Sequence, residues 1–140
     1  MKGFTFVEII IAVAVVAFLM ILIVPWGINF YNTQQLDDTS QEIVQALRRA
    51  QLQAMTGSFD SSFGVYFGLG YYALFRGNSY VAKTDEESFS ILSAVSFSGL
   101  SEIVFSKLTG VPNKTGNIIL KLGKDSRTIN INSIGRINLQ

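Results

Sequence analysis

The sequence predicts an α+β protein in which one long N-terminal helix packs on a C-terminal antiparallel β-sheet or sandwich. Three observations carry this. Residues 9–28 form an apolar stretch without a charged side chain. A stripe at 3–4 spacing follows, Leu36, Ser40, Ile43, Leu47, Ala50 and Ala54, as on the buried face of a helix. Beyond Thr56 the pattern changes to short β-branched and aromatic runs separated by Gly, Asn, Asp and Ser, which reads as strands and turns. The chain has 140 residues, of which 49% are hydrophobic and only 15% charged, against about a quarter charged in ordinary soluble domains. A membrane segment is therefore expected, and a soluble enzyme is not. Cysteine and histidine are absent, which removes disulfides, thiolate metal sites, Cys nucleophiles and imidazole bases together. No catalytic group, metal site or cofactor is predicted. With 11 basic and 10 acidic side chains, the chain has no strong overall field for nucleic acid or anionic lipid.

The apolar stretch of 9–28 has only Pro25 and Gly27 as helix-weakening residues. As a helix it is about 30 Å long, the thickness of a bilayer core. A removable signal peptide has a shorter apolar core and a small-residue cleavage site; here the run ends in Pro25-Trp26-Gly27-Ile28-Asn29-Phe30. The segment is expected to stay, with Lys2 holding its start on the cytoplasmic side. Trp26, Phe30 and Tyr31 form an uncharged aromatic collar at the outer interface.

Glu8 stands among Phe6, Val7 and Ile9. An ionised carboxylate in hydrocarbon costs a few kcal/mol or more unless a cation neutralises it, and the segment supplies none. Two readings stay open on cost alone: a carboxylate snorkelling from a helix end to the interface, or one that waits for a cation on another molecule.

The N-terminus, Met1-Lys2-Gly3-Phe4-Thr5-Phe6-Val7-Glu8-Ile9-Ile10-Ile11-Ala12, resembles the type IV prepilin and pseudopilin signature. That family shows a short basic leader ending in Gly, then Phe, a few apolar or Thr residues, Glu, and a long apolar helix. The resemblance implies a leader at 1–3, a transmembrane and assembly helix at 4–28, its continuation into the globular domain at 29–55, and a β-rich domain at 56–140. It implies that a prepilin peptidase cuts between Gly3 and Phe4 and methylates the new amine of Phe4. It also implies that Glu8 of one subunit pairs with the terminal amine of a neighbour. The partners so implied are other pilin or pseudopilin subunits, an inner-membrane assembly platform, and membrane lipid before assembly. The chain would begin as a single-pass inner-membrane protein with its globular domain outside, and end in an extracellular or periplasmic filament.

Pro25 lacks the amide that would bond back to Ile21, so a kink is expected there. Past the polar patch at 32–40, the second stripe continues the helix to about Met55, giving one kinked spine of roughly 78 Å. Thr39-Ser40-Gln41-Glu42 offers the alternative of a capping box that starts a separate helix. Gly57 is a plausible stop. Strands are predicted at 63–67, 71–76, 80–83, 89–97, 102–108, 118–122, 128–132 and 136–139, with hairpin turns at Gly77-Asn78 and Lys124-Asp125-Ser126.

The helix end Gln45-Ala46-Leu47-Arg48-Arg49-Ala50-Gln51-Leu52-Gln53-Ala54 and the closing Ile134-Gly135-Arg136-Ile137 resemble minor pseudopilins and fimbrial-type proteins grouped with the H subunit of type II secretion. Major pilins often close a C-terminal loop with a disulfide, which this chain has no cysteine to form. The family context is a type IV pilus, type II secretion or competence pseudopilus. An alternative is a minor pilin that receives DNA in natural transformation. Some such proteins carry Gly-Arg-x-Arg; here the stretch is Gly135-Arg136-Ile137-Asn138, without the second arginine. Candidate phosphate contacts are Lys121, Lys124, Arg127 and Arg136. Asp37-Asp38 and Asp85-Glu86-Glu87 lack calcium-loop spacing and read as solvated turn charges. Asn113-Lys114-Thr115 is a glycosylation sequon.

Overall fold

Helix α1 runs over Phe6–Met55, 50 residues, in a computed structural model that describes residues 3–140 apart from the side chains of residues 23–29. The chain divides into two compact units, Met1–Gln34 and Gln35–Gln140. The first consists of the N-terminal part of α1. From Phe4 to Leu22 every side chain is exposed, so this part of the helix forms its backbone bonds and buries nothing. Among the described residues no helix is long and apolar enough to cross a membrane. The predicted span of 9–28 continues into residues whose side chains lie outside that description. The kink expected at Pro25 also falls outside the described residues, as do Met1 and Lys2 of the predicted leader.

The second unit has a core of its own. The stripe Leu36, Ser40, Ile43, Leu47, Ala50 and Ala54 is fully buried, each residue at 0% exposure. Small residues at 50 and 54 let the helix backbone come close to what it packs on. The alternative helix start at Thr39 does not occur. Thr39 Oγ1 donates to the Gln35 carbonyl at 2.8 Å and Ser40 Oγ to that of Asp37 at 2.8 Å, back-bonds that a continuing helix offers.

Eight strands follow among the described residues: β1 (Phe63–Gly68), β2 (Tyr71–Arg76), β3 (Asp85–Ser90), β4 (Ser96–Gly99), β5 (Glu102–Phe105), β6 (Gly116–Leu122), β7 (Asp125–Ile131) and β8 (Ile137–Leu139). They form two four-stranded sheets, ordered β3-β2-β1-β5 and β4-β6-β7-β8, with every pairing antiparallel. Alternate residues of both sheets join the helix stripe in one cluster. Phe63, Val65, Phe67, Leu74, Ile103 and Phe105 come from the first sheet; Ile118, Leu120, Leu122, Ile129, Ile131 and Ile137 come from the second.

Several expected features differ. Residues 80–83 are not a strand: they belong to the β2–β3 connection, which spans 77–84 rather than a tight Gly77-Asn78 turn. Tyr80 there lies flat on Tyr66, ring centroids 3.9 Å apart, and meets Phe75 edge-on at 5.6 Å. The aromatic character that suggests a strand instead seals the outer face of the first sheet. The run 89–97 is split between β3 and β4, which lie in different sheets. The acidic run Asp85-Glu86-Glu87 is strand rather than turn; β3 is an edge strand, where charge discourages pairing with other chains. Finally, the β6–β7 turn is Gly123-Lys124, since Asp125 and Ser126 already pair with Leu122 and Lys121. Gly123 has φ +61, the left-handed conformation that a two-residue hairpin needs at its first central position.

Candidate functional site

The N-terminal residues singled out by the sequence lie together in the first unit. Gly3 and Phe4 are exposed, outside any regular element, and a side chain at Gly3 would meet nothing within 4 Å. The Gly3–Phe4 peptide bond thus sits in open backbone just before the helix. Thr5 opens α1. Its carbonyl accepts from the Ile9 amide at 3.3 Å, and its Oγ1 accepts from the Glu8 amide at 3.3 Å. Thr5 is therefore an N-cap with Glu8 at the third helical position, the S/T-x-x-E capping-box spacing, and the Glu8 carboxylate lies at the positive end of the helix dipole. The cap bond is made by the Glu8 amide, and the Glu8 side chain is exposed. The signal for the cap was present in the sequence as Thr5-x-x-Glu8.

The four cations proposed for phosphate contact are not brought together. On β6, Ile118, Leu120 and Leu122 point into the core, so Lys121 points outward. Arg127 has the parity of buried Ile129 and Ile131 on β7, and its Nε donates to Asp37 Oδ1 of α1 at 2.5 Å. That hydrogen bond is the main reason the guanidinium is held above even its usual high pKa. Lys124 sits in the β6–β7 turn, and Arg136 precedes β8 beside the opposite end of β7. They occupy two faces and two ends of the sheet.

Two grooves flank the helix in the second unit. One of about 480 Å³ is lined by Glu42, Gln45, Ala46, Arg49, Tyr72, Leu74 and Phe89. The other, about 250 Å³, lies between Arg49, Gln53, Phe59 and the Arg76–Glu87 region. The Arg49–Glu87 ion pair, 3.0 Å, stands where they meet. Burial raises the Tyr72 hydroxyl pKa, with the Glu42 and Glu87 charges adding to it. Tyr80 is raised chiefly by its hydrogen bond with the Tyr71 hydroxyl, then by burial and Glu86. Both tyrosines therefore stay neutral at physiological pH. Among the described residues no group of acidic side chains is placed to hold a metal ion. Asn113 of the sequon is tied to β5: its Oδ1 accepts from the Val104 amide at 3.0 Å.

No protein-family model matches the chain. No curated protein matches it in sequence. Among solved structures it is similar to the minor pseudopilin EpsH from the type 2 secretion system of Vibrio cholerae, with a TM-score of 0.58 over 76% of this chain and 96% of that one. The two share a fold. Sequence identity is 10%, so the likeness is one of architecture: a helix that packs its C-terminal part on antiparallel sheets.

Proposed function

We propose that the chain is a structural subunit of the pseudopilin kind, in a type IV pilus, type II secretion or competence pseudopilus, cleaved after Gly3 and assembled through its N-terminal helix. One observation carries the reading. A unit with a complete core is joined to a helix that presents Phe6, Ile9, Ile10, Val13, Val16, Leu19 and Leu22 to its surroundings. Each such side chain gains about 1.5–3 kcal/mol when removed from water, so this helix is built to be covered by something else. The membrane does so first, and the helices of neighbouring subunits do so afterwards.

The N-terminal geometry fits the processing step. The bond after Gly3 is accessible, and cutting it creates an amine at Phe4, one residue before the Thr5 cap. In an assembled filament the amine of a neighbouring subunit would pair with Glu8. The minor-pseudopilin architecture supports the reading, as does the exposed helix; partners would be a prepilin peptidase, an assembly platform and other subunits. Intact mass of the chain from membranes, with and without a prepilin peptidase, tests it. Loss of residues 1–3 plus one methyl group, only when the peptidase is present, is expected. An unchanged mass in both cases contradicts it.

A further inference from the structure

At the C-terminal end of α1 the second unit leaves apolar side chains uncovered. Gln51 stands on the border of the buried face. Its Nε2 donates to the carbonyls of Gly110 at 3.0 Å and Gly135 at 2.9 Å, clamping the β5–β6 connection to the β7–β8 connection. The clamp is tight: a side chain at Gly110 would come within 2.5 Å of Met55 Cγ, and one at Gly135 within 2.3 Å of Gln51 Nε2.

Around this rigid point stand Leu52, Met55, Leu108 and Ile134, exposed at 61%, 49%, 65% and 75%. At 3.6 residues per turn, Arg48, Leu52 and Met55 fall within an arc of about 60° beside Gln51. Leu108 has φ +66, a conformation that costs a bulky residue roughly 1 kcal/mol. Its amide donates to the Ala54 carbonyl at 2.8 Å, so the backbone caps the helix end while the side chain stays at the surface. Grouped apolar exposure of this kind on a unit with a finished core marks an interaction surface.

Charge tells what covers it. Among the described residues Arg49 pairs with Glu87 and Arg127 with Asp37, while Arg76 bonds Thr84 and lies over Phe59. Arg48 and Arg136, beside the patch, make no ion pair among the described residues. No acidic residue occurs in α1 after Glu42, nor in segments 106–113 or 132–140. The carboxylate that follows in sequence, Asp60, is taken up by Lys107, which leaves Arg48 and Arg136 as the charges at this surface without an ion pair among the described residues, and guanidinium forks suit carboxylates in particular.

We propose that this surface docks a protein segment presenting an apolar ridge flanked by carboxylates. The proposal does not depend on how the N-terminal helix is used. It is tested with the full chain in detergent micelles and two designed amphipathic helices, identical in their Leu face and flanked by Glu in one and Lys in the other. Fluorescence anisotropy is expected to show saturable micromolar binding of the Glu peptide and binding at least roughly tenfold weaker of the Lys peptide. Arg48→Glu with Arg136→Glu should lose roughly tenfold in affinity, and Ile134→Ser, at an exposed loop position, should lose affinity with the melting temperature unchanged. Lys121→Glu with Lys124→Glu, away from the patch, should leave binding intact. Equal binding of both peptides, no binding of either, or an equal loss from the lysine pair overturns the proposal. So does self-association abolished by Ile134→Ser, which would assign the surface to a second copy. Binding to phosphatidylglycerol vesicles that outcompetes the peptide would assign it to a membrane.

Discussion

The two units of this chain solve the burial problem in opposite ways. In the first unit the helix closes its own backbone bonds, and from Phe6 to Leu22 its side chains face outward, so their hydrophobic free energy is gained only when another molecule covers them. In Gln35–Gln140 the same helix presents six fully buried positions to two sheets, and the gain is collected within the chain. The sequence marks the change of regime: all-round apolarity gives way to a one-sided stripe at Leu36. One unit leaves its described apolar side chains uncovered, and the other has a core of its own.

The comparison breaks most sharply at Glu8. It is the one charge in the outward-facing apolar helix and also stands at capping-box spacing from Thr5, so two substitutions separate its charge from any side-chain cap. Glu8→Gln keeps the capping geometry, because Gln serves at that position, but removes the charge. If the carboxylate pairs with a neighbour's amine, Glu8→Gln and Glu8→Ala should both abolish filament recovery, as breaking a buried pair costs about 3–5 kcal/mol. If only the cap matters, Glu8→Gln should assemble normally while Glu8→Ala is impaired.

The second unit should be separable. Residues 35–140 alone are expected to fold and melt cooperatively without detergent, whereas the whole chain requires detergent to stay dispersed; both are read by sedimentation and circular dichroism. Within that fragment Leu47→Ala should cost about 2–5 kcal/mol in urea unfolding, and Val13→Ala in the full chain should leave that transition unmoved. Destabilisation by Val13→Ala of similar size would erase the distinction between the units.

Smaller effects sharpen the picture. The Asp37–Arg127 bond ties α1 to β7, but both side chains remain about a third exposed, at 35% and 29%. Asp37→Ala should therefore cost about 1 kcal/mol or less. Smaller still is the alkaline response. The hydroxyls of Tyr72 and Tyr80 have raised pKa values in the folded chain, so the unfolded chain loses those protons first. Their contribution to stability should be constant up to about pH 10, the ordinary tyrosine value, and decline above it. Tyr72→Phe should lessen that decline, as read by chemical denaturation at successive pH values.

Much of the second unit was legible because burial imposes period. The stripe from Leu36 to Ala54 appears in full at the helix–sheet contact, and 71–76 is β2 with no change of boundary. Strand β3 was not legible. Its sequence Asp-Glu-Glu-Ser-Phe-Ser buries almost nothing, so an edge strand leaves no apolar alternation to read. Residues 80–83 show the converse: Tyr80 and Val81 favour strands, yet the Tyr80 ring is used for stacking on Tyr66. The Arg127–Asp37 contact joins residues separated by 90 positions, and nothing local to either announces it. The Thr5 cap, by contrast, lies within four residues and was open to reading. The apolar patch near Gln51 was hidden because Leu52, Leu108 and Ile134 come from separate segments that only the fold assembles.

Photo-crosslinking from Val13 and Val16 in cells that carry a prepilin peptidase and an assembly platform tests the central claim most directly. Adducts to the N-terminal helices of other subunits, lost when the platform is deleted and replaced by lipid adducts, are the predicted result. Lipid adducts alone, unchanged by the platform, would contradict the account and leave the helix as a simple anchor.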